Sequence, residues 1–312
     1  MEVFMKRYIT LDGGTTNTKI SVVSGGEIID TVKAVSSSER AVYFAAVRCA
    51  IAELLARNSL CEADICRIIA SGTMATSELG LYPCDHLFTP VGIEALKRGS
   101  VEVRIPEVST IPFVIVRGVK TACETILDAD MMRGEEAEIM GLLTDGGEDC
   151  AFMLMGSHTK IVRVEDGRIV DISTMLTGEI IAAISGDTIL KHAFSVKDCA
   201  LDTEYIKKGY EYRAERGEGE AYFKVRVLRN ILGATESEAY SFFLGVALFG
   251  EVEHTKRLGV KKVIVGGNRY LKDAVCLLLE AFTDAEVVCL TDEEVNASVP
   301  LGLVRIFEFE EK

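Results

Sequence analysis

The sequence lacks any apolar run long enough to cross a membrane. Its longest apolar stretch, Phe242 to Phe249, is far shorter than the roughly 20 residues of a transmembrane helix. It therefore predicts a buried helix and no membrane partner. Residues 1–8 contain no apolar core of signal-peptide length, so we expect no secretion signal and a cytoplasmic location.

The sequence also lacks clustered cysteines. It has nine cysteines, an odd number, and the closest pair, Cys61 and Cys66, is too widely spaced for a zinc-type CxxC motif. Neither a zinc site nor a disulfide framework is expected, and a reduced compartment fits best. Dispersed cysteines also argue against an iron–sulfur protein.

The sequence has fewer basic than acidic residues. The chain has 34 Lys and Arg residues against 48 Asp and Glu residues, a formal net charge of -14. Nucleic acids and anionic membranes would be repelled at long range, so we expect no nucleic-acid partner. A small anionic ligand can still bind where local cations or Mg²⁺ outweigh the distant field.

The length of 312 residues predicts two domains. We place an N-terminal lobe at residues 1–146 and a C-terminal lobe, ending in a returning helix, at residues 147–312. An interlobe cleft is then available for a ligand. The sequence does not determine the oligomeric state, and a homodimer is compatible with it.

A sequence repeat supports this division. Two apolar runs, Tyr8 to Leu11 and Ala151 to Met155, are each followed by a Gly- and Thr-containing turn and two further strand-like segments. At an offset of 141 positions, seven residues of the first copy coincide with the second: Thr18, Lys19, Ile20, Val23, Gly26, Ile28 and Asp30. Any two β-meanders share branched residues and Gly turns, but that does not explain the shared Thr-Lys pair.

Helical and strand-like patterns follow each meander, which predicts two α/β lobes. The predicted helices are 39–57, 91–99, 178–193, 237–258 and 270–282, with another running from 132–136 to Leu143. The predicted strands are 67–70, 113–116, 262–265 and 286–290.

The turn from Asp12 to Lys19 has the composition of a phosphate-binding turn. Glycines let the backbone approach a ligand, and Thr15, Thr16 and Thr18 offer hydroxyls. Asp12 is placed to hold Mg²⁺ through water, and Lys19 adds a positive charge. A tight hairpin without a ligand remains the alternative.

Two later turns have related compositions. Gly156 to Lys160 repeats the phosphate chemistry, with His158 as either a ligand or a structural residue. Gly266-Gly267-Asn268 follows a buried strand and precedes a helix, so it could form a floor for a purine ring. The alternative is a turn that only connects the strand to the helix.

Met132 to Glu136 opens a helix with two adjacent carboxylates. A carboxylate in a first helical turn stays ionised, which favours a base. Glu135 is the candidate to accept a hydroxyl proton, although Glu136 is hard to separate from it, and Arg133 could pair with a substrate carboxylate. Capping by glutamate is the alternative.

Together these motifs resemble those of the superfamily of sugar kinases, actin and the Hsp70 nucleotide domain. Four signals in fixed order resemble the 2-dehydro-3-deoxygalactonokinase family: DGGTTNTK, MRGEE, GSHTK and LTGE, which begin at Asp12, Met132, Gly156 and Leu176. MRGEE and LTGE are the specific ones.

The resemblance implies a two-lobed actin-like ATPase fold, with duplicated ribonuclease H-like domains, and ATP-dependent phosphorylation of the terminal hydroxyl of 2-dehydro-3-deoxy-D-galactonate. It implies ATP and Mg²⁺ as cofactors, with Asp12 at the metal and either Glu135 or Glu136 as the catalytic base. ATP contacts would come from Asp12, Gly13, Gly14, Thr15, Thr16, Lys19, Gly156, Ser157, His158, Thr159, Gly266, Gly267 and Asn268. Sugar-acid contacts would come from Gly72, Thr73, Arg133, Lys160 and Glu179.

The chain departs from the family pattern at several positions. Gly13 replaces an aromatic residue, Ser157 replaces a threonine, and the stretch from Ser71 to Gly80 matches loosely and lacks the family's tryptophan. The substrate is thus less well specified than phosphoryl transfer. Another small-molecule kinase, a polyphosphate or nucleotide phosphohydrolase and a non-enzymatic ATP-gated clamp remain alternatives.

Overall fold

The computed structural model of the protein describes residues 6–144, 147, 149–194 and 200–310. The strands are β1 Arg7–Gly13, β2 Asn17–Ser24, β3 Glu27–Val35, β4 Arg67–Ser71, β5 Leu87–Phe88, β6 Val101–Val103, β7 Phe113–Ile115, β8 Val119–Lys120, β9 Met131–Met132, β10 Cys150–Met155, β11 Thr159–Glu165, β12 Arg168–Met175, β13 Lys262–Gly267 and β14 Glu286–Cys289. The helices are α1 Arg40–Arg57, α2 Thr73–Thr76, α3 Ile93–Gly99, α4 Glu135–Leu142, α5 Thr177–Asp187, α6 Thr203–Arg216, α7 Glu218–Asn230, α8 Glu236–Ala247, α9 Phe249–Leu258, α10 Arg269–Phe282 and α11 Asp292–Glu308.

The chain divides into two compact units. The first is Met1–Glu148 with Val164–Ile172 and Glu293–Lys312, and the second is Asp149–Arg163 with Ser173–Asp292. The lobe boundary predicted after residue 146 stays a prediction, and Gly146 itself lies outside the described residues.

The first unit contains a six-stranded sheet in the order β3-β2-β1-β4-β7-β6. Strands β1 and β2 pair antiparallel, whereas β1 and β4 pair parallel, so the C-terminal end of β1 lies beside the C-terminal end of β4. Helix α1 packs against β2 and β3. Its buried face includes Tyr43, Val47, Ile51 and Leu54, which recur at the spacing of three and four residues that an amphipathic helix requires.

A five-stranded sheet runs in the order β12-β11-β10-β13-β14, in which β10, β13 and β14 are parallel. Its first four strands repeat the order β3-β2-β1-β4. The predicted pair of β-meanders is therefore confirmed. The buried cluster of the second unit draws residues from these strands and from α5, α6, α7, α8, α9 and α10.

Two of the helix predictions were wrong. The helix predicted over 237–258 is two helices, α8 and α9, separated at Leu248. Arg213 donates to the carbonyl oxygen of Val246 at 2.7 Å, an acceptor that a continuous helix would use for its own backbone. The helix predicted over 178–193 ends at Asp187, where the Thr188 side chain caps a short 3₁₀ turn, Ile189–His192.

Candidate functional site

The first predicted phosphate turn joins β1 to β2. Asp12 and Lys19 are paired residues of the antiparallel ladder, and both side chains are half-buried. Thr15 and Thr16 are exposed at the tip of the turn. The ladder thus holds a carboxylate and an ammonium group side by side at the base of an exposed pair of hydroxyls.

Glycine at position 13 is required by close packing. An added Cβ there would lie 2.8 Å from the backbone nitrogen of Ala75 and 3.1 Å from the carbonyl oxygen of Ser71. Gly72 has a φ of 94° and faces Gly13 from the other side, where a Cβ would lie 2.7 Å from the Gly13 carbonyl oxygen. The turn and the start of α2 are therefore fixed against each other by backbone contact, which accounts for the absence of an aromatic residue at position 13.

Ser36, which belongs to no predicted motif, holds the turn in place. Ser36 donates its hydroxyl to the Gly14 carbonyl oxygen at 2.7 Å, and its backbone nitrogen bonds the Thr16 carbonyl oxygen at 3.2 Å. The expectation that Thr18 offers its hydroxyl to a ligand was wrong. Thr18 is fully buried because it points inward from β2, and its hydroxyl contacts that of Tyr43 at 3.0 Å.

Asp12 is a suitable single ligand for Mg²⁺. Burial raises the pKa of its carboxyl group, and the positive charge of Lys19 acts in the opposite direction. Within the described ranges, no group of three or more His, Cys, Asp or Glu side chains could enclose a metal ion. Mg²⁺ commonly binds through one or two carboxylates with water and phosphate oxygens, so one carboxylate beside a phosphate turn fits this ion.

The two candidate bases at the start of α4 have different environments. Glu135 is partly exposed, and its Oε2 accepts the backbone N–H of Arg133 at 2.9 Å. Glu136 is fully buried, and both of its oxygens accept the N–H of Gly134. Burial, followed by the charges of Glu135 and Asp12, raises the pKa of Glu136 well above its usual value. Of the two, only Glu135 is partly exposed.

Helix α4 is held by α11. Added Cβ atoms at Gly141 and Gly302 would collide with the backbone carbonyl oxygens of Ser298 and Ala137, respectively, so the two helices touch along their backbones. Arg305 donates to the carbonyl oxygens of Met140 and Leu143 at the end of α4. These contacts fix the helix whose first turn carries the candidate base.

A cleft of about 760 Å³ opens beside the first turn, within the first unit. Its lining is rich in hydroxyl groups and includes one guanidinium and one imidazole. The lining residues are Thr15, Ser36, Ser37, Ser38, Thr73, Met74, Thr76, Ser77, Glu78, Leu79, Pro83, Cys84, Asp85, His86 and Arg133. The cleft therefore brings together three sequence-predicted residues, Thr15, Thr73 and Arg133, with Gly72 adjoining Thr73.

The second predicted phosphate turn lies between β10 and β11. Ser157 and His158 are exposed, and His158 Nε2 lies 2.8 Å from Glu179 Oε1. Thr159 and Lys160 are buried, and Lys160 donates to the Thr174 hydroxyl at 2.6 Å. Glu179 and Lys160, both predicted to contact the sugar acid, therefore lie beside this turn in the second unit.

The LTGE motif packs against this turn. Gly178, in the first turn of α5, lies so close to Gly156 and Ser157 that a Cβ would collide with the Gly156 carbonyl oxygen. The Glu179 backbone N–H donates to the Ser157 carbonyl oxygen at 3.1 Å. The start of α5 is thus fixed against the turn. Only glycine fits at position 178, because any side chain there would collide with the turn.

A buried carboxyl group from α9 lies close to this pair, and no sequence motif contains it. Glu251 is fully buried, and its oxygens have no hydrogen-bond partner among the described residues. Burial raises the pKa of Glu251, while the nearby hydroxyls of Thr177 and Thr159 act in the opposite direction. Glu251 therefore lies between the foot of the turn and the start of α5.

The predicted adenosine turn lies at the end of β13. Gly267 has a φ of 95°, and its Cα packs against Met155 at the end of β10. The Asn268 backbone N–H donates to the Met155 carbonyl oxygen at 2.7 Å, and its side chain caps α10 by accepting the N–H of Tyr270. The turn therefore lies where β10 ends and the second phosphate turn begins.

No helix among the described residues is long and apolar enough to span a membrane.

Comparisons with known proteins identify the family. The model of the 2-keto-3-deoxy-galactonokinase family matches residues 12–306. A protein of Rhizobium meliloti (strain 1021), assigned as the 2-dehydro-3-deoxygalactonokinase DgoK1, is 40% identical over 70 residues. That match covers 22% of this chain and 23% of the relative, so it spans less than a quarter of either protein.

Solved structures show the fold. The crystal structure of a protein from Sinorhizobium meliloti, assigned as a 2-dehydro-3-deoxygalactonokinase, matches with a TM-score of 0.73 and 22% identity over 96% of this chain and 97% of the other. Component A of the (R)-2-hydroxyglutaryl-CoA dehydratase from Acidaminococcus fermentans matches with a TM-score of 0.52 and 12% identity over 96% and 97% of the two chains. The predicted actin-like ATPase fold is thereby confirmed, and since the family model matches nearly the whole chain, the protein belongs to the 2-keto-3-deoxy-galactonokinase family.

Proposed function

We propose that the protein is an ATP-dependent kinase that phosphorylates the terminal hydroxyl of 2-dehydro-3-deoxy-D-galactonate to give the 6-phosphate. The observation that carries the proposal is the cleft beside the first turn, which is lined by hydroxyl side chains and by Arg133. Hydroxyls match the hydroxyl groups of a sugar chain, and a guanidinium matches a carboxylate. Membership of the family supports the same substrate class.

Each predicted phosphate turn carries groups suited to phosphate oxygens. Thr15, Thr16 and Lys19 offer hydroxyls and a cation in the first unit, and Ser157 offers an exposed hydroxyl in the second. Asp12 would hold Mg²⁺, which when bound compensates the charge of the phosphate oxygens. In phosphoryl transfer the protein supplies mainly position and charge, so this set of groups is sufficient.

Glu135 would act as the base. The oxygen of the sugar hydroxyl forms a bond to the γ-phosphorus while the bond from that phosphorus to the β,γ-bridging oxygen breaks. ADP leaves, and the hydroxyl proton passes to the Glu135 carboxylate. The N–H of Arg133 holds one oxygen of this carboxylate, which fixes its orientation beside the cleft that Arg133 lines.

A coupled assay of ADP release tests the proposal. The acceptors are a panel of 2-oxo-3-deoxy sugar acids, with hexoses, glycerol and water alone as comparisons. We expect rapid ADP release with 2-dehydro-3-deoxygalactonate and almost none with glycerol or water. Turnover with hexoses alone would overturn the substrate, and equal ADP release in water alone would indicate a phosphohydrolase.

A further inference from the structure

Two side chains of the cleft form a hydrogen-bonded pair. Arg133 donates from Nε to His86 Nε2 at 3.0 Å, and both residues line the cleft. His86 lies 47 positions before Arg133 in the sequence. No sequence motif contains it, so the pair is visible only in the fold.

The pair fixes the protonation of His86. An arginine side chain is always charged and has no acceptor, so Nε2 of His86 must accept and its ring proton must lie on Nδ1. Burial, followed by the charges of Arg133 and Lys120, lowers the pKa of His86 to about 4, with Arg117 acting in the same direction and Asp85 in the opposite one. The imidazole is therefore neutral near pH 7.

The position of His86 is fixed by its surroundings. Arg117 donates from Nε to the Asp85 carbonyl oxygen at 2.5 Å and from a terminal nitrogen to the His86 carbonyl oxygen at 3.3 Å. Gly118 lies against the pair, where a Cβ would be 2.8 Å from Arg133 Cγ and 2.9 Å from His86 Cδ2. The imidazole and guanidinium thus have little room to move apart.

The remaining donors of Arg133 are available to a ligand. Nε is used by His86, and the backbone N–H by Glu135. Across the described ranges, the terminal nitrogens of Arg133 make no salt bridge with Glu78 or Asp85, the two acidic residues of the cleft. Arg133 lines the cleft, and a guanidinium held in one orientation there is suited to bidentate binding of a carboxylate through its two terminal nitrogens.

We propose that His86 is a specificity-determining positioning residue, which holds Arg133 through its Nε so that the terminal nitrogens bind the carboxylate of a 2-oxo sugar acid. The inference rests on the proposed function for the assignment of this cleft to the acceptor substrate. It adds the reason why a sugar acid would be preferred over a neutral sugar. A neutral sugar can accept hydrogen bonds from the guanidinium, but it lacks the charge and the paired oxygens of a carboxylate.

The test compares His86→Leu, which removes the acceptor, with His86→Gln, whose amide oxygen can reach the place of Nε2. His192→Leu is the matched control, because His192 is an exposed histidine of the second unit. Each variant is assayed with 2-dehydro-3-deoxygalactonate and with the 3-deoxyhexulose that carries CH₂OH in place of the carboxylate. The quantities measured are kcat, KM for each acceptor and KM for ATP.

For His86→Leu, we expect KM for the sugar acid to rise about 10-fold to 100-fold, as for loss of a charge-assisted contact. The kcat, the KM for ATP and the KM for the neutral analogue should change less than about threefold. His86→Gln should recover most of the loss, and His192→Leu should match the parent. A parallel rise in KM for both acceptors, or no recovery by glutamine, would overturn the inference.

Calorimetric titration of 2-dehydro-3-deoxygalactonate without ATP separates this inference from the proposed function. If the parent binds the sugar acid but transfers no phosphate, the kinase proposal fails, and weaker binding by His86→Leu still supports the role of His86. If the parent and His86→Leu bind the acid equally well, or the parent does not bind it at all, the role of His86 is overturned.

Discussion

Gly134 donates its backbone N–H to both carboxyl oxygens of Glu136, each at 2.9 Å. Gly134 can do so because its φ of 112° turns the chain sharply just before α4. This turn directs Glu136 inward and leaves its neighbour Glu135 partly exposed beside Arg133. Two adjacent carboxylates that look equivalent in the sequence therefore lie in different environments.

Replacement of Glu135 by glutamine should remove the base. We expect Glu135→Gln to lower kcat by on the order of 10²-fold to 10⁴-fold, with KM for ATP little changed, because proton acceptance contributes in this range. Steady-state kinetics with the sugar acid measure the effect. Glu136→Gln is the matched comparison and should keep kcat within about tenfold, since this carboxyl is buried. Full activity of Glu135→Gln would remove Glu135 from the role.

Glu138 should make the stability of the protein depend on pH. Burial, with the charges of Glu135 and Asp12, raises the pKa of Glu138 to about 8, and Lys19 acts in the opposite direction. The folded state holds this proton more tightly than the unfolded state, whose carboxyl has its usual value of 4.5. This contribution to stability is therefore complete below the unfolded value and is lost as the pH rises from about 4.5 to about 8.

Glu138→Gln should abolish this dependence. We expect the variant to exceed the parent in free energy of unfolding by roughly 1–3 kcal/mol at pH 8.5, and by less at pH 5, with partial exposure of the side chain reducing the full effect. Denaturant unfolding at the two pH values measures it. Glu124→Gln, which removes a charge from an exposed position, should show no such difference. A gain independent of pH would contradict the assignment.

Gly178→Ala should weaken ATP binding. The added methyl group would push α5 away from the turn at Gly156 and Ser157, and we expect KM for ATP to rise by about tenfold or more. Gly186→Ala lies in the same helix, where a Cβ has nothing within 4 Å, and should be neutral or slightly stabilising. Equal ATP kinetics for the two variants would show that the contact at position 178 does not matter.

Gly302→Ala should destabilise the first unit. The methyl group would meet the Ala137 carbonyl oxygen on α4, and overpacking of this kind costs about 1–3 kcal/mol. The unfolding temperature Tm should fall. The kcat should fall as well, because α4 carries the candidate base. Gly250→Ala is the control, since a Cβ there lies 3.6 Å from the Met175 sulfur, an ordinary contact.

The sequence specified the parts of the fold that depend on local patterns. The two β-meanders were predictable because alternating apolar residues and Gly turns mark strands and hairpins wherever they occur. The break between α8 and α9 was not, because it involves Arg213, 33 positions before the carbonyl it binds. Helix α6 was missed because its buried residues are few, chiefly Ile206, Gly209 and Tyr210.

The candidate site shows the same division. Turns with Gly, Thr and Asp could be read directly, since their chemistry is contained in a few consecutive residues. His86 and Glu251 could not, because each lies beside residues far from it in the sequence and neither belongs to a motif. The inward direction of Thr18 depends on its place in the β2 ladder, which the turn motif alone does not specify.

The contact between α4 and α11 has a consequence for how the protein is made. Arg305 and Met140 are 165 positions apart, so the ribosome delivers α11 only after nearly all of the second unit has been synthesised. Until then the face of α4 that includes Ala137 and Gly141 lacks its partner helix. We expect the candidate base to gain its native setting late, after the second unit has had the chance to fold on its own.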